Sequence, residues 1–182
     1  MNYILAFVIL SIPIIVLSWE SLKTKGSHGF YRFFSWEAIL VLLIFKVEFW
    51  FADPFSWHQI ISWILLFISI WFVLIGVITL KKKGKQQNIR QEENLYGFEK
   101  TSELVTSGIY KYIRHPLYSS LLLLTWGIYL KTLDWILFVV AFFASVSLHL
   151  TARADEKECI SFFGDCYRNY MRTTKRFIPF IF

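Results

Sequence analysis

Apolar positions in this chain fall in long blocks, without the alternation of a half-buried strand or the periodic stripe of a surface helix. Residues 2–19 (NYILAFVILSIPIIVLSW) carry no charge, and residues 57–80 carry only His58 as a titratable group. The runs 116–130 and 133–150 are of the same kind. A fifth, 34–51 (FSWEAILVLLIFKVEFWF), is interrupted by Glu37, Lys46 and Glu48. A helix needs roughly 20 apolar residues to cross ~30 Å of hydrocarbon. The pattern therefore predicts an all-α integral membrane protein with about five transmembrane helices. The 15-residue run 116–130 is short and has to borrow its flanks or lie near a polar rim. Nothing basic precedes the first run and no small-residue cleavage site follows it, so we expect a retained span and not a signal peptide.

Composition agrees. Of the 182 residues, 56% are hydrophobic, above the 45–50% usual for soluble domains. The net charge of +6, from 19 Lys and Arg against 13 Asp and Glu, matters through its placement. Loop 20–33 has Lys23, Lys25 and Arg32, the link 52–56 has no basic residue, segment 81–115 has eight, the turn 131–132 has Lys131, and the tail from 151 has six. This alternation predicts an N-terminus outside and a C-terminus in the cytoplasm, which in a prokaryote is the arrangement of an inner-membrane protein. The positive charge then reports topology and anionic lipid, and no nucleic-acid partner is expected.

Cys159 and Cys166 lie seven apart in the cytoplasmic tail, two turns along one helical face. That is the wrong compartment for a disulfide. With no histidine nearby they make no zinc site, so we expect small buried hydrophobes and no metal. Glu37, Lys46 and Glu48 are intramembrane ionisable groups, but the two glutamates lie near the ends of their span. A structural or interfacial role is expected for all three.

Two regions follow: a three-helix transmembrane scaffold, 1–80, and a cofactor-binding catalytic region, 81–182. The second opens with a polar cytoplasmic loop, 81–107, and continues as a helical hairpin, 116–150, turning at Lys131–Asp134. Its arms, 116–130 and 134–150, rise about 22 and 25 Å. Antiparallel arms return the chain to the side of Arg114 and His115. The segment after 150 then reads as a C-terminal cytoplasmic amphipathic helix, in which Asp155, Cys159, Phe162, Cys166 and Tyr170 share a stripe beside Glu156, Ile160, Phe163 and Tyr167. Asp155 and Glu156 sit on the apolar stripe, so they need a partner: Arg153, Arg114 or a cationic ligand.

Pro116 suits the first position of a helix and pushes His115 out of helical geometry, which makes His115 the cap. The N–H groups from Leu117 onward and Arg114 then present a site for an anion. Asp155 and Glu156 offer negative charge to an amine, sulfonium or ribose, and Tyr110, Tyr112 and Tyr118 offer aromatic faces. A zwitterionic, cationic, aromatic ligand suits this set, as do many others.

The stretch LVTSGIYKYIRHPLY (104–118) resembles the cofactor-binding segment of isoprenylcysteine carboxyl methyltransferases and related phospholipid methyltransferases, with its LV-x-x-G-x-Y-x-x-x-RHP-x-Y pattern. The tail is similar as well: the acidic pair Asp155-Glu156 ahead of Phe163-Gly164, then Tyr167 and Tyr170, then Arg176-Phe177-Ile178-Pro179. The resemblance covers about residues 95–182. It implies an S-adenosylmethionine-dependent membrane methyltransferase whose lipophilic acceptor enters from the bilayer: an isoprenylcysteine carboxylate, or a lipid amine or thiol. The cofactor contacts carried over are Leu104, Val105, Gly108, Tyr110, Arg114, His115, Pro116, Leu117, Tyr118, Asp155 and Glu156. His115 and Arg153 are the catalytic candidates, His115 more as a holder of the cofactor than as a base. The family usually has Glu where Asp155 stands, and its acceptor arginine falls slightly upstream of Arg153. The pattern R-x-DE-x-x-C-x-x-x-FG with a terminal P-x-I-F also resembles membrane sterol reductases, which implies NADPH. A non-catalytic membrane protein, with the carboxylates as ion-pair partners, is the third reading.

Overall fold

The computed structural model describes residues 2–84 and 101–179, and among these it is all-helical. Six α-helices follow in order: α1 (Tyr3–Lys23), α2 (His28–Lys46), α3 (Trp57–Lys83), α4 (Pro116–Tyr129), α5 (Trp135–Phe163) and α6 (Asp165–Thr173). Tight helical turns at Val47–Phe49 and Gly108–Lys111 join them. The centre of the 81–107 loop lies outside the described residues.

Three helices are long and apolar enough to cross a membrane: α1, α3 and α5. Their outward faces carry bare Ile4, Val16, Phe67, Trp71, Val139 and Phe142. Apolar surface of this extent on helices of spanning length is that of an integral membrane protein. The run 34–51 forms a helix shifted toward its N-terminus. Ser27 caps α2 by accepting the Phe30 N–H at 3.1 Å, and the helix stops at Lys46. α4 has 14 residues, about 21 Å.

α3 packs on α4, α2 on α5, α1 on α2, and α4 on α5. The α3–α4 contact uses small residues, as close helix pairs in membranes do. A Cβ on Gly127 would lie 2.9 Å from the Leu66 side chain, and the Ser62 hydroxyl donates to the Gly127 carbonyl at 2.6 Å. Higher up, Ser69 donates to the Ser120 carbonyl at 2.8 Å.

The chain after 150 differs from the expected separate tail helix. α5 runs 29 residues without a break, about 43 Å, because Thr151–Glu158 holds no helix breaker. Its last turns extend beyond the apolar stretch. The break comes at Gly164, whose φ of +59° is a conformation glycine adopts at low cost. α6 then leaves in a new direction. The Cys159–Cys166 stripe is therefore cut: Cys159 is buried and Cys166 exposed. The expectation of two buried thiols on one face is corrected for Cys166.

After α6 the tail lies against the segment before α4. The Arg114 N–H donates to the Lys175 carbonyl at 2.8 Å, His115 N–H to Arg176 at 3.2 Å, and Lys175 N–H to Tyr112 at 3.1 Å. This short parallel pairing straps residues 174–177 across the mouth of the hairpin.

Candidate functional site

Pro116 begins α4, and His115 stands before it in a non-helical conformation, φ −123° and ψ 63°. Because α4 and α5 are antiparallel neighbours, the last turns of α5 return to this point. The His115 ring, buried, lies between two carboxylates: Nδ1 is 3.4 Å from Asp155 Oδ2 and Nε2 is 3.5 Å from Glu156 Oε1. Burial disfavours the imidazolium, but these two neighbours outweigh it and raise the His115 pKa above the ordinary histidine value. Nε2 makes no hydrogen bond of good geometry in its buried position. Tyr118 stacks on the imidazole with ring centroids 5.2 Å apart.

The two carboxylates have different surroundings. Glu156 is gripped by two guanidinium groups: Arg114 Nε donates to Oε1 at 2.9 Å, and Arg176 Nη2 donates to Oε2 at 2.7 Å. Arg114 also donates to the Met171 carbonyl at 3.2 Å and to the Thr174 carbonyl. These contacts tie α5 and α6 to the strap and make Arg114 the partner of Glu156, one of the pairings expected for the carboxylates. Asp155 accepts from the Tyr118 hydroxyl at 3.1 Å and, weakly, from the Cys159 thiol at 3.5 Å.

Asp155 borders a cavity. Its wall includes Leu104, Val105, Tyr110, Arg114, His115, Pro116, Leu117, Tyr118 and Asp155, nine of the residues expected to hold a cofactor. Gly108 and Glu156 do not line it. Gly108 sits instead above Thr79, in the turn that aims Tyr110 inward. Arg153 is exposed and also lies off the wall. Residues absent from the expected set complete the cavity: Cys159 and Phe163 from the last turns of α5, Tyr167 and Tyr170 from α6 beyond the Gly164 break, with Leu80 and Thr101. Tyr167 and Tyr170 belong to the tail motif, so their aromatic spacing was the available signal. Tyr170 donates to the Tyr110 carbonyl at 2.6 Å. Burial pushes both phenols above their ordinary pKa, so they stay neutral donors and aromatic walls.

One further contact reaches the site from α2. The fully buried His28, at the start of α2, meets Glu158: Nδ1 to Oε2 at 2.5 Å, and its backbone N–H to Oε1 at 3.0 Å. Ligand-type atoms of His28, Asp155 and Glu158 lie within 4.8 Å of one another. Nδ1 and the Glu158 carboxylate pair with each other there, which gives the form of a tie between α2 and α5, while the buried Nε2 makes no hydrogen bond among the described residues.

A second cavity, of roughly 600 Å³, lies between α3, α4, α5 and the strap. It is apolar except for Ser119, Ser145 and His149.

Fold and site together define an all-helical membrane protein with an aromatic cavity where α4 starts and α5 ends. A model of the phospholipid methyltransferase family matches residues 57–165, more than half of the chain, and the chain belongs to that family. It is similar to methanethiol S-methyltransferase of Crocosphaera subtropica, 32% identical over 76 residues, which are 42% of this chain and 29% of that protein. It is similar also to the methanethiol S-methyltransferase of Pseudomonas deceptionensis, 27% identical over 71 residues, 39% of this chain and 26% of that one. The match thus spans less than a third of the length of either relative. No solved structure matches.

Proposed function

We propose that the protein is an S-adenosylmethionine-dependent methyltransferase acting on a lipophilic acceptor that reaches it from the bilayer. The observation that carries this is the cavity bounded by Asp155, His115 and four tyrosines, in a chain of this family. The donor set fits the cofactor's chemistry: a carboxylate for its cationic or hydroxyl groups, aromatic faces for its base and sulfonium, and the N-terminus of α4 for its carboxylate. When bound, S-adenosylmethionine supplies an electrophilic methyl group. Leu104, Val105, Tyr110, His115–Tyr118 and Asp155 would hold it, with Tyr167 and Tyr170 excluding water from the far side.

The protein's contribution is alignment and dryness. His115, favoured as imidazolium between two carboxylates, is a poor general base and a good clamp: it fixes Asp155 toward the cavity. Glu156 acts indirectly, through Arg114 and Arg176, by holding the strap that closes the site. Arg153, exposed one turn before Glu156, is available to meet an anionic acceptor head. The apolar cavity suits the acceptor's body. A carboxylate or thiolate acceptor needs no base, and the two similar proteins, whose names state a thiol, favour a thiol among the candidates.

We read five spans, with α2 and α4 crossing beside the three longer helices, the N-terminus outside and the C-terminus cytoplasmic. A reporter fused to the C-terminus should read cytoplasmic; an external signal overturns the orientation. For the cofactor, calorimetry on purified protein should show S-adenosylhomocysteine binding and no NADPH binding. Asp155→Ala should weaken that binding roughly 10-fold or more, the loss of one hydrogen bond to a charged group, with the helical circular-dichroism spectrum unchanged. Unaltered affinity sinks the site assignment.

A further inference from the structure

The two cavities are separated by one layer of side chains. Tyr118 from α4, Ala152 from α5 and Phe177 from the strap pack against one another as a buried cluster. His115, on the wall of the first cavity, has its ring centroid 6.4 Å from that of Phe177. His149, on the wall of the second, is also 6.4 Å from it on ring centroids. The phenyl ring of Phe177 thus stands between a polar chamber and an apolar one.

This layer conflicts with the chemistry, if the reading above holds. In an in-line displacement the acceptor's lone pair forms a bond to the methyl carbon as the carbon–sulfur bond breaks. That bond's electron pair stays on the departing thioether sulfur, and the proton of a thiol acceptor goes to solvent beforehand. The reacting atoms have to approach within about 3–3.5 Å, which a phenyl ring lying between the chambers forbids. One member of the layer has to move. Tyr118 is held by stacking on His115 and by its bond to Asp155. Ala152 has no rotatable side chain. Phe177 lies on non-helical chain whose backbone is pinned, its carbonyl accepting from the Ser119 hydroxyl at 2.8 Å, while its side chain borders the roomy apolar cavity. A swing of the ring into that space opens the passage without unstrapping the backbone.

We propose that Phe177 is the door between the cofactor chamber and the acceptor chamber, and that it sets which acceptor heads pass: slender ones such as a primary thiol or carboxylate, on an apolar body. This rests on the methyltransferase reading.

The test places a thiol behind the door. In Cys159→Ser/Cys166→Ser protein in lipid nanodiscs, His149→Cys is labelled with a trimethylammonium methanethiosulfonate, which cannot arrive through lipid. Phe177→Ala, or Phe177→Leu if the alanine variant fails to fold, should raise the labelling rate at least 10-fold. S-adenosylhomocysteine should suppress the increase. An unchanged rate overturns the door. A raised rate that S-adenosylhomocysteine leaves untouched keeps the door and refutes the cofactor assignment. With dodecanethiol and tert-butyl thiol as acceptor probes, the same variant should raise the branched-to-straight rate ratio. An unchanged ratio overturns the selectivity role, and labelling alone decides if neither thiol is methylated.

Discussion

The α4–α5 hairpin has buried charge at both ends, and the two ends use it differently. At the turn, Lys46 and Lys131 are almost fully buried. Lys46 donates to the Thr132 carbonyl at 2.7 Å, to its hydroxyl at 2.5 Å, and to Asp134 at 2.5 Å. Lys131 donates to Gln59 at 3.0 Å and lies over the Trp63 ring at 3.7 Å. Every donor is met, and neither lysine lines either of the two cavities described above. At the open end, Arg114, Arg176 and Glu156 are met in the same way, but Asp155 and His115 face space. Buried charge in a membrane protein is a reason to look for function; what separates a fastening from a site is an adjoining cavity with a polar wall. Glu37 and Glu48 fall with the fastenings: each accepts from α1, Glu37 from Ser11 at 2.8 Å and Glu48 from Tyr3 at 2.7 Å.

The sharpest way to break this comparison is at Glu156. Glu156→Ala leaves the buried Arg114 guanidinium without its carboxylate, a loss of the kind that costs about 3–5 kcal/mol. The thermal transition of the detergent-solubilised protein should fall by several degrees, and S-adenosylhomocysteine binding should fall with it as the strap loosens. A normal melt with lost binding would instead make Glu156 a direct ligand contact.

The opposite end should be more forgiving. Among the described residues no carboxylate pairs with Lys131, so Lys131→Met gives up a hydrogen bond to Gln59 and a cation–π contact but also the burial of a charge. The net effect should stay within about 1–2 kcal/mol, with S-adenosylhomocysteine affinity unchanged on calorimetry. A drop in affinity would mean that the two ends communicate through the hairpin.

How much of this was legible beforehand follows from the range of each interaction. The hairpin, Pro116 at the start of α4 and the return of Asp155 to His115 follow from apolar block lengths and one tight turn, all local signals. The unbroken α5 was missed because an amphipathic stripe looks alike on one long helix and on two, and only Gly164 marks the break. The partners of Glu156 were half seen. Arg114 was among the candidates, but Arg176 comes from a tail whose path depends on backbone pairing with residues 112–115. The tie from His28 to Glu158 spans 130 positions, and no periodicity encodes it. The second cavity exists only between helices, so apolar sequence alone gave no hint of it.

The smallest expected effect is a pH dependence confined to the open end. His115 has its pKa raised in the folded protein by Asp155 and Glu156, against the effect of burial. Its contribution to stability is therefore fully present below the unfolded histidine value, about 6.5, and is lost as pH rises through the higher folded value. Melting temperature measured across that window should decline toward alkaline pH, and the decline should shrink in His115→Gln, which keeps a polar group but does not titrate. Lys131→Met should leave the slope as it is, since the turn end holds no group that titrates between two carboxylates. A slope that vanishes in Lys131→Met and persists in His115→Gln would reverse the assignment of the titrating end.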